Sequence, residues 1–423
     1  MDEIVPGTLD FGTTFRLGIR NLFRNRRRTL ITASTVAIAV VLMQFSFSLM
    51  AGLEQQSFDN LINFQTGHAK VYAAGYFDER NELPLEPVLD DFAGLRATIE
   101  SVPGVAATTP RLTFFAQLSN GVDQIPCQGI GIDLSGSDTD VFRIPEAIVD
   151  GAYLDPAEEG MLLGSGLADL FAVAPGDWLT VLTKTAAGAY EALDLPVIGV
   201  IGTGNPLIDQ NSFLISLNGA QEVLEMPESV TELALRFRMG VREEAAMQRV
   251  NEALAGSGDV EVKGWRSIED NFIALTKIKR SGQGVMLGIL LLMAVVGITN
   301  TILMATYERT REIGMLMAMG LRRQGVRRIF LVEGAVNGLL GGAVGTLIAL
   351  IPIIWLATNG WDLTATYGDM DIGYPVRGVI YPAFNLVMIV VIWLATGLLA
   401  TLAALYPAAR ASRLDAVEAL RHV

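Results

Sequence analysis

The sequence predicts an α-helical membrane protein with four transmembrane helices plus an α+β extracytoplasmic domain inserted between helices one and two. Three observations predict it. First, apolar stretches with almost no charge occupy residues 29–50, 283–306, 329–358 and 384–406. Each is long enough to cross a bilayer, because about 20 residues at ~1.5 Å rise span the ~30 Å hydrocarbon core. Second, arginine clusters mark one side of these stretches. Third, the segment 51–282 is polar and strongly acidic.

The basic residues set the orientation. Arg16, Arg20, Arg24, Arg26, Arg27 and Arg28 precede the first span. Arg309, Arg311, Arg322, Arg323, Arg327 and Arg328 lie between spans two and three, and Arg410, Arg413 and Arg421 follow span four. Four crossings put all three groups on the cytoplasmic side. Residues 51–282 and the loop 359–383 then face outward. Lys277, Lys279 and Arg280 oppose this arrangement on the outer flank of span two, but long basic side chains there reach the headgroups. The first apolar run is too long for a signal-peptide core and no small-residue cleavage site follows Met50, so it reads as a retained anchor.

The chain carries −14 in total, yet from Ala51 to Thr276 it holds 34 acidic and 12 basic residues. An acidic exterior argues against nucleic acid and against docking on anionic lipid. The lone Cys127 excludes an intrachain disulfide and reads as a small buried apolar residue.

Taken in order, residues 1–28 read as a cytoplasmic amphipathic helix, with Phe15, Leu17, Ile19, Leu22 and Phe23 mixed with Arg16 and Arg20. The first span continues outward as a helix, because Leu53, Phe58, Leu61 and Ile62 keep helical spacing. His68–Tyr72 alternates like a strand, and Leu89–Val102 is helical with Phe92, Leu95 and Ile99 on one face. Val105–Leu118 and Gln124–Ile132 pair around Asn120-Gly121. Residues from about 148 to 217 read as a separate β-rich subdomain set inside the β/α part. Within it, Met161–Thr183 gives strand, short helix, a turn at Pro175-Gly176-Asp177, and strand. Thr231–Phe237 is a strand, Val241–Leu254 a helix and Val260–Lys263 a strand. Trp265–Arg280 reads as one helix entering span two. The cytoplasmic loop 307–328 and tail 407–423 complete the chain.

Catalytic inventory is missing. The histidines are His68 and His422, which cannot form a histidine metal cluster, and no metal site is expected. No phosphate-binding GxxxxGK[ST] loop occurs. Gly164-Ser165-Gly166 lacks the flanks of a nucleophile elbow and reads as a turn. No catalytic residue is assigned. In span three, Gly334, Gly338 and Gly342 repeat every fourth residue, with Gly341 and Gly345 beside them, a spacing that lets helices approach closely. Glu333 near the cytoplasmic end is placed to pair with an arginine. No acidic residue stands at mid-membrane, which argues against a proton-relay transporter.

The loop sequence YERTREIGMLMAMG, Tyr307–Gly320, resembles the coupling segment of the bacterial ABC permease superfamily that includes lipoprotein-releasing permeases, macrolide exporters and the cell-division permease. The family pattern is met by Glu308, Arg309, Glu312, Ile313, Gly314, Ala318 and Gly320. The closing signature is met by Pro407, Ala408, Ala411, Ala419, Leu420 and Arg421, and the one-plus-three topology fits as well. The segments FQTGHAKVYAAGYFDE and TGNPLIDQNSFLISLNGAQEVL are more similar to the lipoprotein-releasing branch.

The resemblance implies a non-catalytic permease subunit. It needs no cofactor of its own; ATP and Mg belong to a partner ABC ATPase, present in two copies. It also implies a second permease, as homo- or heterodimer, lipid or lipoprotein cargo, and a periplasmic carrier or adaptor, in the bacterial inner membrane. Glu308, Arg309, Arg311, Glu312, Ile313, Leu316 and Met317 are the expected ATPase contact: a charged start, then an apolar face from Ile313, Leu316 and Met317. A path for acyl chains is expected along Met43, Phe47 and Met50 of span one and Met286, Leu290 and Met293 of span two, since methionine adapts to variable chains. Three functions stay open: lipoprotein extraction by transmitted mechanical motion, efflux through an adaptor and outer-membrane duct, and signal transmission without transport.

Overall fold

A computed structural model describes residues 26–362 and 378–413, together with Gly12, Arg16, Arg20 and Val376. Most of the amphipathic segment expected before residue 26, and Ala419, Leu420 and Arg421 of the closing signature, lie outside the described residues. The chain divides into two compact units, one of residues 1–52, 276–361 and 381–423 and one of residues 53–275 and 362–380.

The second unit is built on a ten-stranded sheet. Its strands are β1 (Ala69–Ala73), β2 (Val105–Ser119), β3 (Gln124–Ile132), β4 (Ile148–Gly151), β5 (Met161–Gly164), β6 (Trp178–Lys184), β7 (Tyr190–Ile201), β8 (Ser212–Ser216), β9 (Glu232–Phe237) and β10 (Val260–Gly264). Their order is β10-β1-β9-β2-β3-β8-β5-β7-β4, with β6 bridging β2 and β7. The β2–β3 hairpin forms as the sequence predicts. Asn120 Oδ1 accepts from the amides of Val122 and Asp123, and Gly121 takes the left-handed conformation that the turn requires. β3 and β8 run parallel, while β2 pairs antiparallel with β3, β9 and β6.

Two helices cover this sheet. In Phe92–Glu100, capped by Asp91, Leu95 and Ile99 turn inward at a spacing of four; in Glu243–Leu254, Ala246, Val250 and Leu254 do the same. The core runs without a break from Val71, Leu112 and Phe114 to Met161, Leu163 and Val197. Cys127 lies inside it, and burial pushes its thiol up to about 12.

Two expectations are corrected here. Residues 148–217 are not a separate sheet: their strands hydrogen-bond into the same one, through β3–β8 and β2–β6. Local patterning showed strands but could not show which distant edge they join. Nor is Trp265–Arg280 one helix. A short turn, Trp265–Ile268, breaks at Glu269, and a new helix starts at Asp270. Tertiary contacts hold that turn: the Trp265 amide donates to the His68 carbonyl, its indole to Glu243 Oε2, and its ring packs on Phe58.

The first unit holds the apolar helices. The helices long and apolar enough to cross a membrane lie at Thr29–Thr66, Asp270–Glu308, Arg323–Asn359 and Leu386–Ala411. The first combines an α-helix to Asn60 with a π-helical end at Leu61–Thr66. Within this unit span three is central, and its glycines serve two neighbours. An added Cβ at Gly334 would come within 2.6 Å of Ala404 Cβ, and one at Gly342 within 3.0 Å of the Trp393 ring, so this row meets span four. Gly341 and Gly345 meet span one, at Ala33, Val36 and Ala37. Polar side chains fasten the same contacts. Trp393 Nε1 donates to the Leu339 carbonyl at 3.0 Å, and Gln44 Nε2 to Thr346 Oγ1 at 2.9 Å.

Candidate functional site

The cytoplasmic end of the first unit is built from a break between two helices. The helix of span two ends at Glu308, and Arg309 leaves helical geometry at ψ 13°. Thr310–Ala318 forms a short helix, which we call the coupling helix. Gly320 at φ 99° turns the chain, as only glycine does without strain, and span three starts at Arg323.

This helix is anchored from both sides. Ile313 is buried in the same cluster as Ile302, Val326, Phe330 and Ala404. Arg309 Nη1 lies 3.5 Å from Glu333 Oε2 on the first turns of span three. The opposite face is open: Arg311, Met315, Leu316 and Met319 are exposed, with Glu308 beside them. A cavity of about 350 Å³ runs along this helix, lined by Glu312, Ile313, Leu316, Val326, Phe330 and Arg20.

The structure therefore splits the residues expected to contact an ATPase. Glu308, Arg311 and Leu316 are outward; Glu312 is half-buried; Arg309 and Ile313 are inward; Met317 packs against the cluster that holds Ile313. The outward apolar residues that the sequence did not single out are Met315 and Met319. Arg311, Met315 and Met319 recur every four residues, which is the signal that was available. An apolar helix face with charged shoulders, held rigidly from behind, suits insertion into a groove on another protein.

The residues expected along an acyl path separate too. Met286 and Met293 of span two are two-thirds exposed, while Leu290 is half-buried. Val285, Ile289, Leu292 and Val296 extend that exposed stripe at helical spacing. On span one, Met43 and Phe47 lean on the internal cluster and Met50 is half-buried.

In the second unit the electrostatic features are buried pairs. Lys70 Nζ donates to Glu232 Oε1 at 2.6 Å, and Arg111 holds Asp138 through two bonds of 2.8 and 3.1 Å. Burial and the neighbouring Glu232 raise Tyr72 well above its ordinary range. Burial likewise raises Glu269, against the opposing charges of Lys70 and Arg80.

Two family models match the chain. The family described as MacB-like periplasmic core domain matches residues 29–253, and the FtsX-like permease C-terminal family matches residues 284–415. The chain belongs to this permease family. The permease is 24% identical to the lipoprotein-releasing system transmembrane protein LolC of Neisseria meningitidis, over 96% of this chain and 98% of that one. It is 22% identical to the lipoprotein-releasing system transmembrane protein LolE of Haemophilus influenzae, over 92% and 93% of the two chains. Among solved structures, the periplasmic region of MacB from Actinobacillus actinomycetemcomitans aligns at a TM-score of 0.36 and 14% identity, covering 51% of this chain and 96% of that one. The permease is thus a subunit of an ABC transporter in the bacterial inner membrane, with its large domain in the periplasm and an ATPase as partner.

Proposed function

We propose that the permease is one half of an ATP-driven machine that lifts acylated proteins from the outer leaflet of the inner membrane. The observation that carries this reading is the end-to-end similarity to lipoprotein-releasing permeases, which takes in the coupling segment, all four spans and the periplasmic domain together. A second permease, identical or not, completes the pair, and two ATPase subunits bind the two coupling helices. ATP binding closes the ATPases and pushes each coupling helix through Ile313 and the Arg309–Glu333 pair. The long helices Arg26–Asn60 and Asp270–Glu308 carry the motion outward to the periplasmic domains. The exposed stripe of Met286, Ile289 and Met293 supports lateral entry of an acyl chain, since each buried CH₂ contributes about 0.8 kcal/mol. A soluble carrier then receives the cargo.

The test is reconstitution with the ATPase partner and an acylated reporter protein in proteoliposomes. ATP-dependent transfer of the reporter to a soluble acceptor supports the reading. Hydrolysis stimulated by soluble amphiphilic drugs, without reporter release, would replace it with an efflux function.

A further inference from the structure

Five consecutive neighbours in the periplasmic sheet, β1, β9, β2, β3 and β8, present side chains to one cavity of about 500 Å³. They contribute Lys70, Glu232, Arg111, Gln128 and Ser212 respectively. Phe64, Leu207, Phe272 and Leu275 also line it, and Leu207 and Leu275 are both more than half exposed, beside the exposed Asn81, Asn211 and Asn271. Arg80 and Glu269 stand at the same cavity.

The charges narrow the occupant. Arg111 is committed to Asp138. Of the rest, Lys70 and Arg80 are cationic and Glu232 and Glu269 anionic, so the lining is neutral but holds separated charges. The Lys70 side chain is 9% exposed, and one of its three ammonium donors goes to Glu232 Oε1. Among the described residues Nζ has no other acceptor, so its remaining donors are available to a cavity occupant. Glu269 accepts from Gln65 Nε2 at 2.9 Å, which orients its carboxylate. A plain hydrocarbon would leave the lysine donors unsatisfied, and a plain anion would meet two carboxylates.

We propose that this cavity binds the head of a zwitterionic amphiphile, a phosphate toward Lys70 and an ammonium toward Glu269, with its chain laid over Phe64, Leu207, Phe272 and Leu275. Cavities of this size, roughly 300–1,000 Å³, hold a small ligand, so the head and the first part of one chain fit and the remainder lies outside. The inference rests on reading the permease as a handler of amphiphiles, and it adds a lipid site on the periplasmic domain.

The experiment is native mass spectrometry of the full chain in a neutral maltoside detergent. Three probes are titrated: dihexanoyl-phosphatidylethanolamine, dihexanoyl-phosphatidylglycerol and phosphorylethanolamine without chains. The phosphatidylethanolamine should form a saturable one-to-one adduct, with the other two at least tenfold weaker. Lys70→Gln should lower that adduct at least tenfold. Leu207→Glu combined with Leu275→Glu should do the same; both lie on the surface, so this variant decides the matter if Lys70→Gln fails to fold. Equal binding of the phosphatidylglycerol, equal binding of the bare head, or an adduct unchanged in the rim variant would each overturn the proposal. No ATPase or cargo enters this assay, so its failure is distinct from failure of reporter release.

Discussion

Arg309 Nη1 and Glu333 Oε2 lie 3.5 Å apart with side-chain exposures of 8% and 2%, so a buried ion pair joins the base of the coupling helix to span three. Removing one partner takes this ion-pair contact from the other. Arg309→Ala should destabilise the membrane unit by about 3–5 kcal/mol, the usual cost of breaking a buried pair. The combined Arg309→Met, Glu333→Leu variant should recover much of that loss in thermal melts in detergent. It should still fail to couple ATP hydrolysis to cargo. Equal melting temperatures for Arg309→Ala and wild type would remove this role for the pair.

The two glycine rows make distinct predictions. A side chain at Gly338 would overlap Ala400 Cβ and lie 3.1 Å from the Thr396 carbonyl oxygen. Gly338→Leu should therefore separate spans three and four and cost about 1–3 kcal/mol or more. Gly345→Leu should separate spans three and one instead, because its Cβ would meet the Ala37 carbonyl oxygen at 2.6 Å. Gly288 has nothing within 4 Å, so Gly288→Ala should leave the melt unchanged. Disulfide trapping between paired cysteines on each span pair would read the two separations independently.

On the coupling helix, inward and outward residues should fail differently. Leu316→Asp with Met319→Asp alters only exposed positions, so the permease should fold normally yet lose cargo-stimulated hydrolysis by its ATPase partner. Ile313→Asp buries a carboxylate in the cluster with Phe330 and should lower the melting temperature of the permease alone. If the exposed double variant assembles and is stimulated like wild type, the ATPase contact lies elsewhere.

His68 carries a pH dependence. Burial depresses its pKa below 6.5, Glu243 opposes that and Arg236 adds to it, and Nδ1 accepts from the Phe237 amide at 3.4 Å. The unfolded chain therefore binds the proton more readily than the folded one. Stability from the neutral ring is complete above pH 6.5 and is lost as pH falls through the folded pKa. The melting difference between wild type and His68→Gln should be constant above neutrality and shift against wild type below pH 6.5. A difference that is flat across that range would show that the ring titrates normally.

The acyl path is tested by photo-crosslinking. A crosslinker at Met293, on the exposed stripe of span two, should label acylated cargo without nucleotide and lose it on ATP addition. One at Met43, which leans on the internal cluster, should label weakly in both states. Labelling by bulk phospholipid alone, insensitive to ATP, would assign the stripe to the lipid or to the second permease.

Much of this was legible because the signals are local. A run such as Leu386–Ala403 has no stable place in water, so span number and position follow from composition alone. The Asn120-Gly121 hairpin and the Phe92–Glu100 helix carry their own turn and cap residues. Motif spacing likewise located the short helix Thr310–Ala318, since its charged start and glycine stop are consecutive in the chain.

What the sequence by itself determined is therefore the four spans, their sidedness, the inserted acidic domain and the place of the helix Thr310–Ala318. Tertiary structure alone decided which face of each element is used. Ile313 and Leu316 are equally apolar, yet packing against Val326 and Phe330 turns one inward and leaves the other out. Strands β4–β8 join the main sheet because β3 and β8, distant in sequence at Gln128 and Ser212, pair in parallel register. The cavity at Lys70 exists only once five strands stand side by side. Periodicity records that a residue is apolar or charged; only the contacts made by the rest of the chain fix what it faces.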